Sequence, residues 1–211
     1  MRAVGLLFAF VAAVSIAAGV CQAAETVSTP DLSTLFLLQS RFAHTAPPYE
    51  KIAQWDNAVS SADEFQKPVL VHEAIARLKA RNASLDGVKT IVVNLMTTFS
   101  EYDARYQEYD FDINDGTYIS YSNGLGGDLR IALTNGTKAQ IWKLNPTEAE
   151  QILHKNNGFR NVTLALTLLL LPSSSAVGGE PIVLKAKIVR YDVLGENSDV
   201  KLGEMAVERT P

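Results

Sequence analysis

Between Glu101 and Gly116 six carboxylates, Glu101, Asp103, Glu108, Asp110, Asp112 and Asp115, meet a single cation, Arg105, with Tyr102, Tyr106, Tyr109 and Phe111 interleaved among them. Three chemistries are open to such a segment. Asp110, Asp112 and Asn114 alternate as the first three ligands of a helix-loop-helix calcium loop do. The pattern then departs, because glycine arrives one place late at Gly116 and Tyr121 stands where a bidentate glutamate should close the shell. Two carboxylates held close raise the pKa of one of them, so Asp103, Asp110 and Asp112 could instead supply acid–base groups to a hydrolase. The third chemistry is recognition, since Tyr102, Tyr106 and Tyr109 among acids suit protein contacts. A plainer reading competes with all three: a hairpin with its acids on the wet side and Tyr109, Phe111 and Ile113 on the dry side. That reading expects no metal, no cofactor and no catalytic residue here.

The other reactive residues are isolated. His72-Glu73 begins like a helical zinc signature, but Ala76 and Arg77 stand where the second imidazole belongs, so His72 is expected on the buried side of a helix. His44 precedes a proline pair, and His154 falls at a helix end. Gly124-Leu125-Gly126-Gly127 is glycine-rich, but no helix follows to offer its N-terminal amides to a phosphate. Nucleophile-elbow, nucleotide-loop and CxxC patterns are absent from the sequence.

The N-terminus speaks of export. Met1-Arg2, an apolar run from Ala3 to Val20 and small residues before Glu25 are the parts of a secretory signal peptide, assigned to residues 1–24. Cys21, the single cysteine, lies inside it, which leaves the mature chain without thiol chemistry or disulfides. The alternatives are an uncleaved anchor and a lipoprotein tethered at Cys21. Asn82, Asn135 and Asn161 each open an N-x-Ser/Thr triplet, but a secreted eukaryotic domain of this size would usually carry paired cysteines. The expected address is therefore a bacterial periplasm, or the medium.

The elements that must position these residues divide the mature chain, 25–211, into a helical part (25–86) and a strand-rich part (87–211) of one α+β domain. Pro30 to His44 reads as a helix through Leu32, Leu35 and Phe36. Tyr49, Ile52, Trp55 and Val59 form a second apolar stripe, and from Pro68 a third helix places Val69, Val71, His72, Ile75 and Leu78 on one side. Beyond Gly87 the period becomes two, and Val88 to Phe99 is a strand. Tyr109 to Ile113 and Thr117 to Tyr121 predict a hairpin about Asn114-Asp115-Gly116; Leu129 to Leu133 and Ala139 to Leu144 predict another about Asn135-Gly136. Asn145-Pro146-Thr147-Glu148 is a helix start with a capping box. Val162 to Leu171 is apolar on both faces, as for a central strand covered on each side, and too short to cross a membrane as a helix. Ile182 to Val193, with Lys185 and Lys187 on a wet face, and Val200 to Val207 complete the strands. The fold expected is N-terminal helices packed on a mainly antiparallel sheet or sandwich of six or more strands.

The chain's 211 residues are 47% hydrophobic and 20% charged, with 19 bases against 23 acids, proportions that exclude a disordered tail and argue against nucleic-acid binding. Asp63-Glu64-Phe65-Gln66-Lys67, Tyr109-Asp110-Phe111, the hairpins, the helix at Asn145 to Lys155 and Arg160 before a long apolar strand together resemble a group of exported bacterial domains of unknown function. The resemblance spans roughly Pro47 to Val207. It implies an exported α+β domain and carries over no catalytic residue. The function expected is a non-enzymatic binding or interaction module, its partner a protein or small molecule of the cell envelope, with no nucleic acid and no membrane span after cleavage. The runners-up are the hydrolase and the calcium domain.

Overall fold

The structure, a computed structural model, describes residues 26–174, 182–196 and 200–207. Cys21 and the rest of the expected signal peptide, residues 1–24, lie outside the described residues. Seven strands form a mixed sheet in the order β1 (Thr26–Ser28), β2 (Thr90–Thr98), β7 (Asn161–Leu170), β8 (Ile182–Leu194), β5 (Asp128–Leu133), β4 (Tyr118–Ser122), with β9 (Lys201–Ala206) also paired to β8. The β1–β2 and β5–β8 pairs are parallel and the other four antiparallel. A second, two-stranded ribbon joins β3 (Glu108–Asp110) to β6 (Ile141–Lys143).

One face of the sheet carries the core. On β7 it is Leu164, Leu166, Leu168 and Leu170; on β5 it is Leu129, Ile131 and Leu133, all buried. The strand β8 contributes Leu184, Ala186 and Ile188, then Val189, Tyr191 and Val193, also buried. The parity changes because a bulge places Val189 as an extra residue between the pairs Leu168–Ile188 and Thr167–Arg190. One inserted residue therefore keeps a 13-residue strand facing the same way from end to end. The opposite face is half wet: Lys185 and Arg190 are exposed, and Ala165, Thr167 and Leu169 are only half-buried. The apolar second face of β7 thus sits among neighbouring side chains rather than under a second layer, which corrects the expectation of cover on both sides.

The first helix, α1 (Leu32–Phe42), packs against β5 and β8 on one side and α4 (Lys67–Ser84) on the other. Lying between two layers, it buries seven consecutive residues, Thr34 to Ser40. The stripe expected from Tyr49 to Val59 breaks into two short helices, α2 (Tyr49–Ala53) and α3 (Asn57–Ser60), because Asp56 turns out to be an N-cap, accepting from the Ala58 amide. In α4 the buried line is Ala74 and Leu78, with Leu70, Val71 and Ile75 half-buried; His72 and Val69 are exposed, which corrects the face assigned to both.

Neither expected hairpin forms. The turn at Asn114 exists, with the Thr117 amide donating to the Asn114 carbonyl at 3.0 Å, but its arms part: β3 joins β6, and β4 joins β5. At Asn135-Gly136 the chain enters a helical turn, α5 (Gly136–Ala139), with Asn135 at a negative φ of −141°. Asn135 is buried and uses its side-chain amide on β8, so the pair that signals a tight turn is committed elsewhere. By contrast α6 (Pro146–Lys155) begins as predicted, with both halves of the Asn145–Glu148 capping box in place.

Candidate interaction surface

The ribbon β3–β6 carries an aromatic cluster onto the core face of the sheet. Phe99 and Tyr109 lie 4.6 Å apart, Phe111 stacks on Trp142 at 5.7 Å, and Phe111 meets Tyr191 edge-on at 5.7 Å. Tyr109 is 2% exposed, and its hydroxyl donates to the Ala149 carbonyl at 3.1 Å. Burial, the larger effect, pushes its phenol above the usual range. Tyr102 is half-buried and donates to the Leu144 carbonyl at 2.8 Å. Of the three tyrosines only Tyr106 is exposed, with the Arg105 guanidinium 5.1 Å from its ring. A turn from Asp103 to Glu108 explains the split: it lifts Tyr106 to the tip and folds the residues on either side onto the core. Of the three tyrosines expected at an interaction surface, Tyr109 is buried in the core, Tyr102 is half-buried and Tyr106 is exposed.

The acids alternate with this cluster. Phe111 and Ile113 are 1% exposed while Asp112 and Asn114 face water, so the dry-side half of the plain reading holds although the hairpin does not. Asp103 accepts from the Arg105 and Tyr106 amides, Glu108 pairs with Lys143, Asn114 accepts from Gly116, and Asp115 accepts from Thr137. Among the described residues no three His, Cys, Asp or Glu side chains gather as a metal would need. Of Asp103, Asp110 and Asp112, only Asp112 lines the open groove of about 520 Å³ near Met96, Asn161 and Glu196. The carboxylates proposed for acid–base work do not share a concave site there.

A smaller cleft, of about 280 Å³, lies among the helices, floored by Ile52, Ala53, Ala74 and Leu78 with Trp55 beside them. Its charged residues are occupied with one another. Asp31 caps α1 through the Thr34 amide and pairs with Arg81 at 2.8 Å; Asp56 caps α3 and pairs with Arg77 at 2.7 Å. Burial disfavours ionised Asp31, but the Thr34 hydrogen bonds and the Arg81 charge prevail and hold its carboxyl below the usual range. The Ala58 amide, then Arg77, does the same for Asp56. These four residues clamp α4 to the helices beneath it. The sequence signal for them was an aspartate just ahead of each helical run.

Among the described residues, the sheet edges leave backbone groups without a strand partner. Thr117 accepts from Leu133, and Asn123 donates to Gly127, so the odd-numbered residues of β4 bond to β5. The N–H and C=O groups of Tyr118, Ser120 and Ser122 consequently point away from the sheet. The side chains of Tyr118, Ser120 and Ser122 are exposed, and Tyr118-Ile119-Ser120-Tyr121-Ser122 contains no charge and no proline. Proteins usually blunt such an edge with lysine, proline, a bulge or a covering element. The β2 edge is as long but closed at both ends: Thr29 bonds Val92 at one end and Asp110 bonds Ser100 at the other, with Asn94, Met96 and Thr98 facing outward between them.

No family model, curated protein or solved structure matches this chain. Among the described residues no helix is long and apolar enough to cross a membrane.

Proposed function

We propose that this chain is exported to the bacterial cell envelope and works there as a non-enzymatic protein-interaction module, reading an extended partner strand along the edge of β4. The leader-like N-terminus and the resemblance to exported bacterial domains support the address. The observation that carries the role is the edge itself: three outward-facing backbone pairs, at Tyr118, Ser120 and Ser122, on a strand without charge, proline or bulge. Main-chain hydrogen bonds along an added strand supply affinity, and the exposed side chains of alternate residues supply selectivity. Tyr118, 52% exposed, is the apolar anchor at one end of that edge.

Photo-cross-linkers placed singly at Tyr118 and Ser122, and at the exposed Glu73 of α4 as control, test the proposal in cells of the native host. Products specific to positions 118 and 122 are expected. The same products from all three positions, or none from the edge, would overturn it.

A further inference from the structure

Resting on that reading of the β4 edge, we propose that its partner is a second copy of this chain, the two β4 strands pairing antiparallel across a twofold axis at Ser120. The register follows from the strand. The outward N–H and C=O groups belong to Tyr118, Ser120 and Ser122, so an antiparallel copy aligned on Ser120 makes Ser120 a hydrogen-bonded pair with its own image, with Tyr118 opposite the partner copy's residue 122. Every outward group of one strand then finds its complement on the other.

Charge and shape agree with a self-partner. The five residues of β4 are uncharged, so the pairing sets no like charges opposite one another. The two large exposed apolar side chains of this region sit at opposite ends: Tyr118, 52% exposed, opens the strand, and Leu125, 62% exposed, lies just past its close. A twofold at Ser120 carries the Tyr118 end of each copy toward the Leu125 end of the other, so both apolar residues gain cover from one operation. The β2 edge has as many outward residues but is blocked at both ends. A copy of β2 laid along Asn94 to Thr98 would run into β1 at Val92 and into Asp110 at Ser100, both of which occupy that lane. The β4 pairing would instead join two seven-stranded sheets into a continuous one.

Two five-residue strands form a small contact, at the weak end of specific interfaces, so association is expected toward concentrations of about 1 mM. Sedimentation of the protein as its host produces it should show the mass doubling as concentration rises. Ser120→Lys sets two ammonium groups opposite each other on the axis, and Ser120→Glu sets two carboxylates there; each alone should remain monomeric. Because the Ser120 side chain is exposed and its amide makes no bond among the described residues, both variants should keep the wild-type fold, read by circular dichroism. Mixed in equal amounts, they should recover the doubled mass. A wild-type chain that stays monomeric at about 1 mM, or a Ser120→Lys variant that doubles as wild type does, overturns the self-pairing. If edge-specific cross-links to another protein persist while the chain is monomeric, the copy falls and the interaction edge stands; if both vanish, both fall.

Discussion

Asn135 and Ile188 exchange two hydrogen bonds, from the asparagine Nδ2 to the isoleucine carbonyl at 2.9 Å and from the isoleucine N–H to Oδ1 at 2.7 Å. The side-chain amide thus does what a neighbouring peptide would do, and it stands where β8 passes from the reach of β5, which ends at Ala186, to that of β9, which begins at Arg190. Asn135→Ala leaves a buried donor and a buried acceptor of β8 without partners, at a cost of about 2–4 kcal/mol. Asn135→Asp should fare little better, since a carboxylate cannot donate to the Ile188 carbonyl. Urea midpoints of the two variants check this; a change below about 0.5 kcal/mol would show that the bridge is dispensable.

Gly136 is fixed by crowding. A Cβ there would stand 2.1 Å from the Asn114 carbonyl oxygen, which is main chain and cannot rotate aside. Gly136→Ala should therefore destabilise by about 1–3 kcal/mol through forced backbone movement, although alanine normally favours a helical turn. An unchanged or raised thermal midpoint would contradict the close approach of the two loops.

The acidic segment separates burial from charge. Phe111→Ala removes a ring packed on Phe99, Trp142 and Tyr191 and should cost about 3–5 kcal/mol. Asp112→Asn, on the wet side, should stay within about 0.5 kcal/mol. Millimolar calcium should leave the thermal midpoint where it was, because only a ligand that prefers the folded chain raises it. An upward shift abolished by Asp110→Asn with Asp112→Asn would reinstate the metal reading.

Asp31 and Asp56 set an acid limit. Both carboxyls titrate below the ordinary aspartate value of 3.8 in the folded chain. Such groups contribute stability that is complete above the unfolded pKa and is lost as pH falls through the folded one. The thermal midpoint should hold level down to about pH 5 and decline below it. Asp56→Asn keeps a capping oxygen but takes up no proton, so its decline should be shallower than wild type. Identical slopes would remove Asp56 from the account.

Export makes its own prediction. Mass spectrometry of protein from the native host should find an N-terminus at Ala24 or Glu25. A diacylglycerol-modified Cys21 would place the chain on a membrane instead, and a full-length cytoplasmic product would remove the envelope from its biology.

Local chemistry was legible where the partners are close in sequence. The Asn145–Glu148 capping box lies within one turn, and the alternation from Tyr109 to Ile113 shows in five residues which side chains are dry. The two expected hairpins fail for the opposite reason. Asn135-Gly136 has the composition of a tight turn, but the asparagine's partner lies 53 positions away on β8, and the glycine answers to Asn114 rather than to a positive φ. The stripe on α4 slipped because its first turn, at Val69, runs clear of the core that Ala74 and Leu78 reach. Three tyrosines among acids signal a contact surface, but the ribbon folds Tyr109 into the core and Tyr102 is half covered. An open edge has no sequence signature, because which amides go unpaired depends on every other strand's choice of neighbour.

The extra residue at Val189 gives β8 one place where its length can change. Deleting Val189 would restore an even ladder with β7: Ile188 stays opposite Leu168, Arg190 follows it opposite Thr167, and Tyr191 and Val193 keep their places on the core face. An odd insertion or deletion elsewhere turns every residue between it and the bulge to the opposite face. The frame of this strand is thus a coded quantity in its own right, with Val189 as its single spare letter.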